Sequence, residues 1–194
     1  ISPMEYRFFG SDSVFRHPEP FISDPGPTDA AFARITDDAW SRAKHQADAV
    51  SYERFAHQHS VATQTELLFF RGFAGENAYY GFDTHEANAS GYCSQQKVVD
   101  ELDSRIFEIF WEPDNTTLSH TSSAEAQKRM RFDDPGGFSG SLIWNTRYVE
   151  VSNAGRQWNP AEAVVTGLLH RYDPKPGGCQ GSCRINFFTP PRAR

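Results

Sequence analysis

Residues 105–111 read Arg-Ile-Phe-Glu-Ile-Phe-Trp, and this stretch decides the fold class. In an extended chain, successive side chains point to opposite faces, so Phe107, Ile109 and Trp111 share one face. The residues between them share the other. Such alternation of large apolar side chains predicts a β-strand.

Other stretches of the chain have the same β-branched and aromatic character. They are residues 67–73, 142–151, 163–170 and 185–188. Glycines lie at most of their boundaries, as expected for turns between short strands. The sequence therefore predicts an all-β fold.

One long segment departs from this pattern and predicts a helix. Residues 37–58 contain no glycine or proline and are rich in Ala, Arg, Lys, Gln and Glu. Thr36 is placed as an N-cap, with acidic residues in the first turn. We expect this helix to link two β-rich halves, and a second helical turn over residues 123–129.

Charge and length exclude two classes of partner. The 194 residues carry a formal net charge of −6 without a dense run of Lys or Arg, which argues against nucleic-acid binding. The apolar runs fall far short of the roughly 20 residues that a membrane helix requires. We expect neither a nucleic-acid partner nor a membrane segment.

The cysteines indicate a reducing compartment. Their number is odd, three in all, and they are Cys93, Cys179 and Cys183. An odd count favours free thiols over a disulfide framework, and so a cytoplasmic location. A single C-x3-C pair without further ligands is a poor zinc site, so no metal or cofactor is predicted.

The segment that points to chemistry is residues 133–144, DDPGGFSGSLIW. Glycines on both sides of Ser139 allow a tight backbone turn just before an apolar strand. In such a turn, backbone N–H groups can converge where a carbonyl oxygen becomes an oxyanion, the geometry that acyl transfer needs. A Gly-rich hairpin without activity is the alternative.

The order of several segments along the chain also points to this chemistry. His17-Pro18 precedes Asp29-Ala30-Ala31-Phe32, the serine loop comes 110 positions after Asp29, and the strand at 163–169 has a central glycine. Taken in this order, residues 17–188 resemble the chymotrypsin/trypsin-like serine peptidase family. The resemblance implies two β-barrels, the first of them incomplete here, and no cofactor.

The resemblance also implies roles for individual residues. Ser139 matches the nucleophile, Asp29 the acid that orients the catalytic imidazole, and Gly137 and Ser139 the donors of the oxyanion hole. Asp133 falls on the primary specificity position, which suggests Arg or Lys at P1. Gly167 and His170 fall on the strand that lines the substrate cleft.

The chain departs from the family at two positions that matter. Phe138 replaces the aspartate that pairs with a freed N-terminus in activatable members, so that mode of activation is not expected. The catalytic histidine has no match. His17 lies too near the acid and is interpreted as a surface or hinge residue, and His45, His57 and His59 fall in the predicted helical linker.

The missing base predicts a missing segment. Strands of about 5 to 6 residues leave room for roughly three before Asp29, too few for a barrel. We expect an upstream piece, on the order of 40 to 70 residues by the same arithmetic, to complete the barrel and to supply the histidine. It is either a separate chain after cleavage or sequence that precedes residue 1.

These expectations give a domain plan and a function. The plan is the remainder of a first barrel at 1–36, a helical linker at 37–60 and a second barrel at 61–194. The function is a bacterial-type serine endopeptidase acting on a protein or peptide substrate. The alternatives are an inactive trypsin-like binding or scaffolding module, an α/β-hydrolase, or a β-sandwich whose aspartates only cap turns.

Overall fold

The chain is mostly β with few helices, as the sequence predicts. The computed structural model describes residues 5–6, 12–17, 21–23, 31–43, 48–80, 85–98, 106–117, 119, 123–129, 134–174 and 181–186. It divides into two compact units, residues 1–52 and 53–194. The boundary falls inside the predicted linker, and the serine motif belongs to the second unit.

The first unit contains two small antiparallel sheets and one short helix. Strand β1 (Glu5–Tyr6) pairs with β2 (Phe15–Arg16), and β3 (Ile22–Ser23) pairs with β4 (Ala31–Phe32). Helix α1 is Asp37–Arg42. The Thr36 hydroxyl accepts from the Ala39 N–H at 3.2 Å, so the predicted N-cap is confirmed.

The second unit is a closed, six-stranded antiparallel barrel in the order β10-β7-β6-β5-β8-β9. Its strands are β5 (Leu67–Tyr80), β6 (His85–Lys97), β7 (Ile106–Trp111), β8 (Leu142–Asn145), β9 (Val164–Pro174) and β10 (Gly181–Asn186). Strands β5, β6 and β7 follow one another as neighbours, and β8 returns to pair with β5. This arrangement is a Greek key.

The barrel is filled by alternate side chains of its strands. The strand predicted from residues 105–111 is confirmed as β7, and the side chains of Phe107, Ile109 and Trp111 on one of its faces are buried together. The largest core contacts are aromatic, with the Tyr92 and Trp111 ring centroids 4.5 Å apart. Other members of this core are Leu68, Phe70, Ala74, Phe138, Ile143 and Leu169.

The connection from β7 to β8 carries the serine motif. It contains a 3-10 turn at Pro113–Asn115, helix α2 (Ala124–Arg129) and the loop of residues 134–141. Helix α2 confirms the helical turn predicted over residues 123–129. The motif thus lies at the point where the chain crosses from one side of the Greek key to the other.

The prediction of one helix over residues 37–58 is wrong beyond its first turns. The helix ends at Arg42, and Ala43 has an extended backbone. Farther along, Tyr52–Arg54 is a 3-10 turn, Phe55 forms a parallel bridge with Val165, and the Ala56 N–H donates to the Val165 carbonyl at 2.8 Å. Tertiary hydrogen bonds to β9 override the helix propensity there.

The strand predicted over residues 142–151 is also too long. Strand β8 stops at Asn145, Arg147 has a φ of 55°, and helix α3 (Tyr148–Asn153) follows. The Val149 and Glu150 N–H groups donate to the Glu66 carboxylate, both at 3.0 Å. A distant acceptor fixes the first turn of a helix in a sequence whose side chains favour a strand.

The remaining strand predictions hold with shifted ends. Strands β5, β9 and β10 correspond to the predicted segments at 67–73, 163–170 and 185–188, although β10 begins earlier, at Gly181. Strand β6 was not predicted at all. No helix among the described residues has the length and apolar character that crossing a membrane requires.

Candidate active site

Ser139 is exposed on a tight loop, and the side chain of the preceding residue, Phe138, is buried in the core. The next residue towards the N-terminus, Phe138, is completely buried, and its ring meets that of Phe70 edge to face at 5.1 Å. Gly137 and Gly140 flank the pair with φ angles of 99° and 86°. Only glycine adopts such angles without strain, so this backbone turns outward at the serine.

Two amides of this loop have no acceptor among the residues that the structure describes. Four N–H groups between residues 136 and 141 are bonded: Gly136 to Asp134 Oδ1 at 2.8 Å, Phe138 to the Pro135 carbonyl at 3.2 Å, Gly140 to the Leu169 carbonyl at 2.7 Å and Ser141 to the Phe138 carbonyl at 3.0 Å. The N–H groups of Gly137 and Ser139 bond to none of the described residues. These two are the predicted oxyanion donors.

Strand β5 packs closely against the serine loop at Gly72. A Cβ placed on Gly72 of β5 would overlap the Ser141 hydroxyl and lie 3.0 Å from Cδ1 of Phe138. Glycine at 72 therefore lets the strand backbone pack directly against the loop. This packing supports the loop that carries Ser139.

Strand β9 runs beside the same loop. The Leu169 N–H donates to the Ser141 carbonyl at 2.9 Å, which completes a pair of bonds with the one from Gly140. His170 follows Leu169 and is half-buried, and Gly167 is buried farther along the strand. The two predicted cleft residues thus belong to the strand that borders the serine loop.

Two predicted site residues lie outside the described residues. They are Asp29, the predicted acid, and Asp133, the predicted specificity residue. Their roles stay predictions. Asp134, the neighbour of Asp133, is exposed and caps the turn through Gly136.

His17 is not the surface residue that the sequence suggested. In the first unit it is buried, with 9% of its surface exposed, and its ring lies 5.2 Å from that of Phe21 and 5.9 Å from that of Tyr6. The interpretation as a surface residue is therefore wrong. His17 packs against aromatic rings.

His59 occupies a site that the sequence did not indicate. It lies outside any helix, stacked on Phe107 with centroids 3.6 Å apart and planes 2° apart. Its Nδ1 is 2.6 Å from the Thr166 hydroxyl, and its Nε2 is 3.2 Å from Oε1 of Gln96. Burial lowers the pKa of His59, and the hydrogen bond to Gln96 opposes this only in part.

The hydroxyl, imidazole and amide of this group have the connectivity of a nucleophile, a base and an orienting residue. Thr166, however, is only 1% exposed, so a substrate carbonyl has no access to its hydroxyl. Thr166, His59 and Gln96 are a structural network that satisfies buried polar atoms. Ser139, by contrast, is exposed.

Glu66 is a second buried group missed by the sequence analysis. It is 1% exposed, and its carboxylate accepts the N–H groups of Leu67, Val149 and Glu150. All these partners are backbone amides of β5 and α3. The carboxylate therefore ties a helix to the barrel instead of facing a substrate.

No metal centre is found in the described part of the chain. Three or more His, Cys, Asp or Glu side chains do not converge anywhere among these residues. Cys183 lies in β10, whereas Cys179 falls outside the described residues.

The second unit thus combines a closed Greek-key barrel with an exposed serine between β7 and β8. Comparison of the chain with models of protein families, with curated proteins and with solved structures finds no match.

Proposed function

We propose that this chain carries the nucleophile of a serine endopeptidase of the trypsin-like type. The observation that carries the proposal is the loop of Ser139: an exposed hydroxyl whose own amide and that of Gly137 have no acceptor among the described residues. Unpaired donors beside a nucleophile are what stabilisation of an oxyanion requires. The closed barrel and the position of the loop between its third and fourth strands agree with the resemblance drawn from the sequence.

The loop is also rigid enough to hold its amides ready. Phe138 is buried on one side of Ser139, and Gly140 is bonded to Leu169 on the other. Donors that are fixed before the reaction need no reorganisation when negative charge develops. A mobile Gly-rich hairpin would lack this advantage.

The proposed reaction has two halves. Ser139 Oγ attacks the peptide carbonyl while its proton passes to an imidazole, and the negative oxygen is held by the amides of Gly137 and Ser139. The C–N bond then breaks, and the amine leaves with the proton from the imidazolium. Water hydrolyses the acyl-enzyme by the same steps and regenerates the serine.

In this proposal the imidazole comes from sequence upstream of residue 1 and is oriented by Asp29. Ser139 forms no hydrogen bond with a histidine among the described residues. The substrate is a protein or peptide, with Arg or Lys at P1 if Asp133 fulfils its predicted role.

Covalent labelling of the full gene product with a fluorophosphonate tests the proposal. An activated serine reacts with this reagent, whereas an ordinary serine does not. We expect labelling at Ser139, found by peptide mass mapping, and its loss in Ser139→Ala. The neighbouring Ser141→Ala serves as the matched control and should still label.

The opposite result has a clear meaning. A folded full-length protein that is not labelled, and that cleaves no peptide from a mixed library, would contradict the peptidase and favour the inactive binding module. Labelling that persists in Ser139→Ala would assign the activity to a different residue.

A further inference from the structure

An aromatic cavity of about 490 Å³ lies on the outer face of the barrel, where β8 pairs with β5. Trp144 and Phe69 are direct partners across these strands. Tyr148 and Trp158 close another side, with ring centroids 5.9 Å apart and planes inclined by 67°. The cavity has the size of a small-molecule site.

The walls of this cavity are already ordered. The indole Nε1 of Trp158 donates to the Thr146 carbonyl at 2.7 Å, which fixes the ring. Tyr148 is carried by α3, whose start is held by the Glu66 carboxylate. A preformed wall reduces the entropy that a ligand must lose to order its site.

Arg54 supplies a positive charge at the edge of the cavity. Its guanidinium lies 5.1 Å from the centroid of the Trp144 ring. Its Nε donates to the Ala163 carbonyl at 3.0 Å and its Nη2 to the Pro160 carbonyl at 2.9 Å. Two carbonyls and an indole therefore hold the guanidinium in one orientation.

Among the described residues, no carboxylate pairs with this guanidinium. Arg54 forms no ion pair with any described residue. The nearby Glu162 pairs with Arg156 at 3.1 Å instead. A guanidinium has five N–H donors, so three of those of Arg54 have no acceptor in the described part of the chain.

We propose that this cavity binds a small organic carboxylate with an aromatic body. The body is buried between Phe69, Trp144 and Trp158, and the carboxylate accepts the open N–H groups of Arg54. A guanidinium with a fixed plane favours a carboxylate, because two parallel hydrogen bonds can form. A cationic ligand is repelled by Arg54, and a neutral one leaves its donors unused. This site is independent of the Ser139 loop and of its proposed activity.

Calorimetric titration of the wild-type protein with 4-phenylbutyrate and with 4-phenylbutanamide tests the charge requirement. The two probes share their apolar body and differ in the anionic group. We expect the carboxylate to bind about tenfold or more tightly than the amide, as for hydrogen bonds to a charged partner. Equal binding of the two probes, or no binding of the carboxylate, overturns the proposal. This comparison needs no substitution.

Variants then locate the site. Arg54→Met retains the apolar stem and should weaken carboxylate binding by about tenfold, to the level of the amide. Arg71→Met removes an exposed arginine that does not line the cavity, and should bind as the wild type does. Tyr148→Ala should weaken both probes equally. If Arg54→Met binds the carboxylate as the wild type does, the site is not this cavity.

A chemical readout that needs no variant tests whether the ligand lies beside Cys93, which lines this cavity and also a neighbouring one. Cys93 lines the cavity, and its alkylation by N-ethylmaleimide can be followed by peptide mass mapping. Saturating 4-phenylbutyrate should slow alkylation of Cys93 several-fold. An unchanged rate under saturation would place the ligand elsewhere and contradict the proposal.

Discussion

The Thr166 hydroxyl lies 2.6 Å from Nδ1 of His59, and both groups are withdrawn from solvent beside the ring of Phe107. With the amide oxygen of Gln96 as the other partner, Nε2 donates and Nδ1 accepts. In the neutral ring Nδ1 accepts from the Thr166 hydroxyl, whereas in a protonated ring both nitrogens donate and that hydroxyl accepts instead; burial lowers the pKa of His59 and so favours the neutral ring. The stability of the second unit should therefore depend on pH.

Acid should destabilise the native protein through His59. Its pKa is lowered in the folded state, so below about pH 6.5 the unfolded chain binds a proton that the native protein does not. The free energy of unfolding is then highest above this pH. It falls as the pH decreases towards the folded-state pKa, by up to about 1.4 kcal/mol per pH unit. Denaturant unfolding between pH 8 and pH 5 measures this slope.

His59→Gln should lack this component of the slope, although it is less stable at neutral pH because the stacking on Phe107 is lost. His57→Gln replaces an exposed histidine two positions away and should keep the wild-type profile. A wild-type slope in His59→Gln would show that another group causes the acid sensitivity.

Gly137→Ala should damage both stability and labelling. A φ of 99° strains any residue with a Cβ, by roughly 1–2 kcal/mol. The same change shifts one of the two proposed oxyanion donors. Gly155→Ala is a control for the strain alone, since it lies after α3 at a φ of 69° with nothing within 4 Å of its Cβ. Gly155→Ala should lose a similar amount of stability but still be labelled at Ser139. Equal fluorophosphonate labelling of the two variants would contradict the role of the Gly137 amide.

Gly72→Ala should destabilise the serine loop by about 1–3 kcal/mol, as overpacking does. The added methyl overlaps the Ser141 hydroxyl. Removing that hydroxymethyl group in the double variant Gly72→Ala/Ser141→Gly should recover part of the loss. A double-mutant cycle of denaturant unfolding measures this coupling. Strictly additive effects would mean that the contact with Ser141 does not limit the packing.

Glu66→Ala should be the most destabilising of these substitutions, at about 3 kcal/mol or more, because buried N–H groups of α3 lose a charged acceptor. Glu66→Gln keeps one carbonyl oxygen and should lose less. Hydrogen exchange of the Val149 and Glu150 amides checks the cause. Exchange that stays slow in Glu66→Ala would show that α3 is held by other contacts.

The all-β class could be predicted from the local sequence, because alternating apolar side chains along one stretch indicate a β-strand. Residues 105–111 predicted strand β7 correctly, and the three side chains of one face, Phe107, Ile109 and Trp111, are buried in the core. Strand β6 was not predicted, because its sequence lacks this local pattern. Its sequence, HEANASGYCSQQK, has few β-branched or aromatic residues. It becomes a strand by pairing along most of its length with β5.

Part of the candidate site could also be predicted from the local sequence. The glycines around Ser139 predicted a tight turn, and the positive φ angles at Gly137 and Gly140 agree with it. Nothing near Thr166 or Glu66 in the sequence pointed to their partners, because His59 is 107 positions from Thr166 and Glu66 is 83 from Val149. Such pairs form only when the barrel closes.

The amino-acid sequence by itself determined the alternation that makes strands, the N-cap of α1 and the glycine turn that exposes Ser139, because each depends on neighbours within a few residues. The tertiary structure decided that Phe55 and Ala56 pair with Val165 where a helix was predicted, that α3 forms in place of a strand, and which amides of the serine loop have no acceptor among the described residues. These outcomes depend on hydrogen bonds between residues far apart in the chain, and no local pattern encodes such bonds.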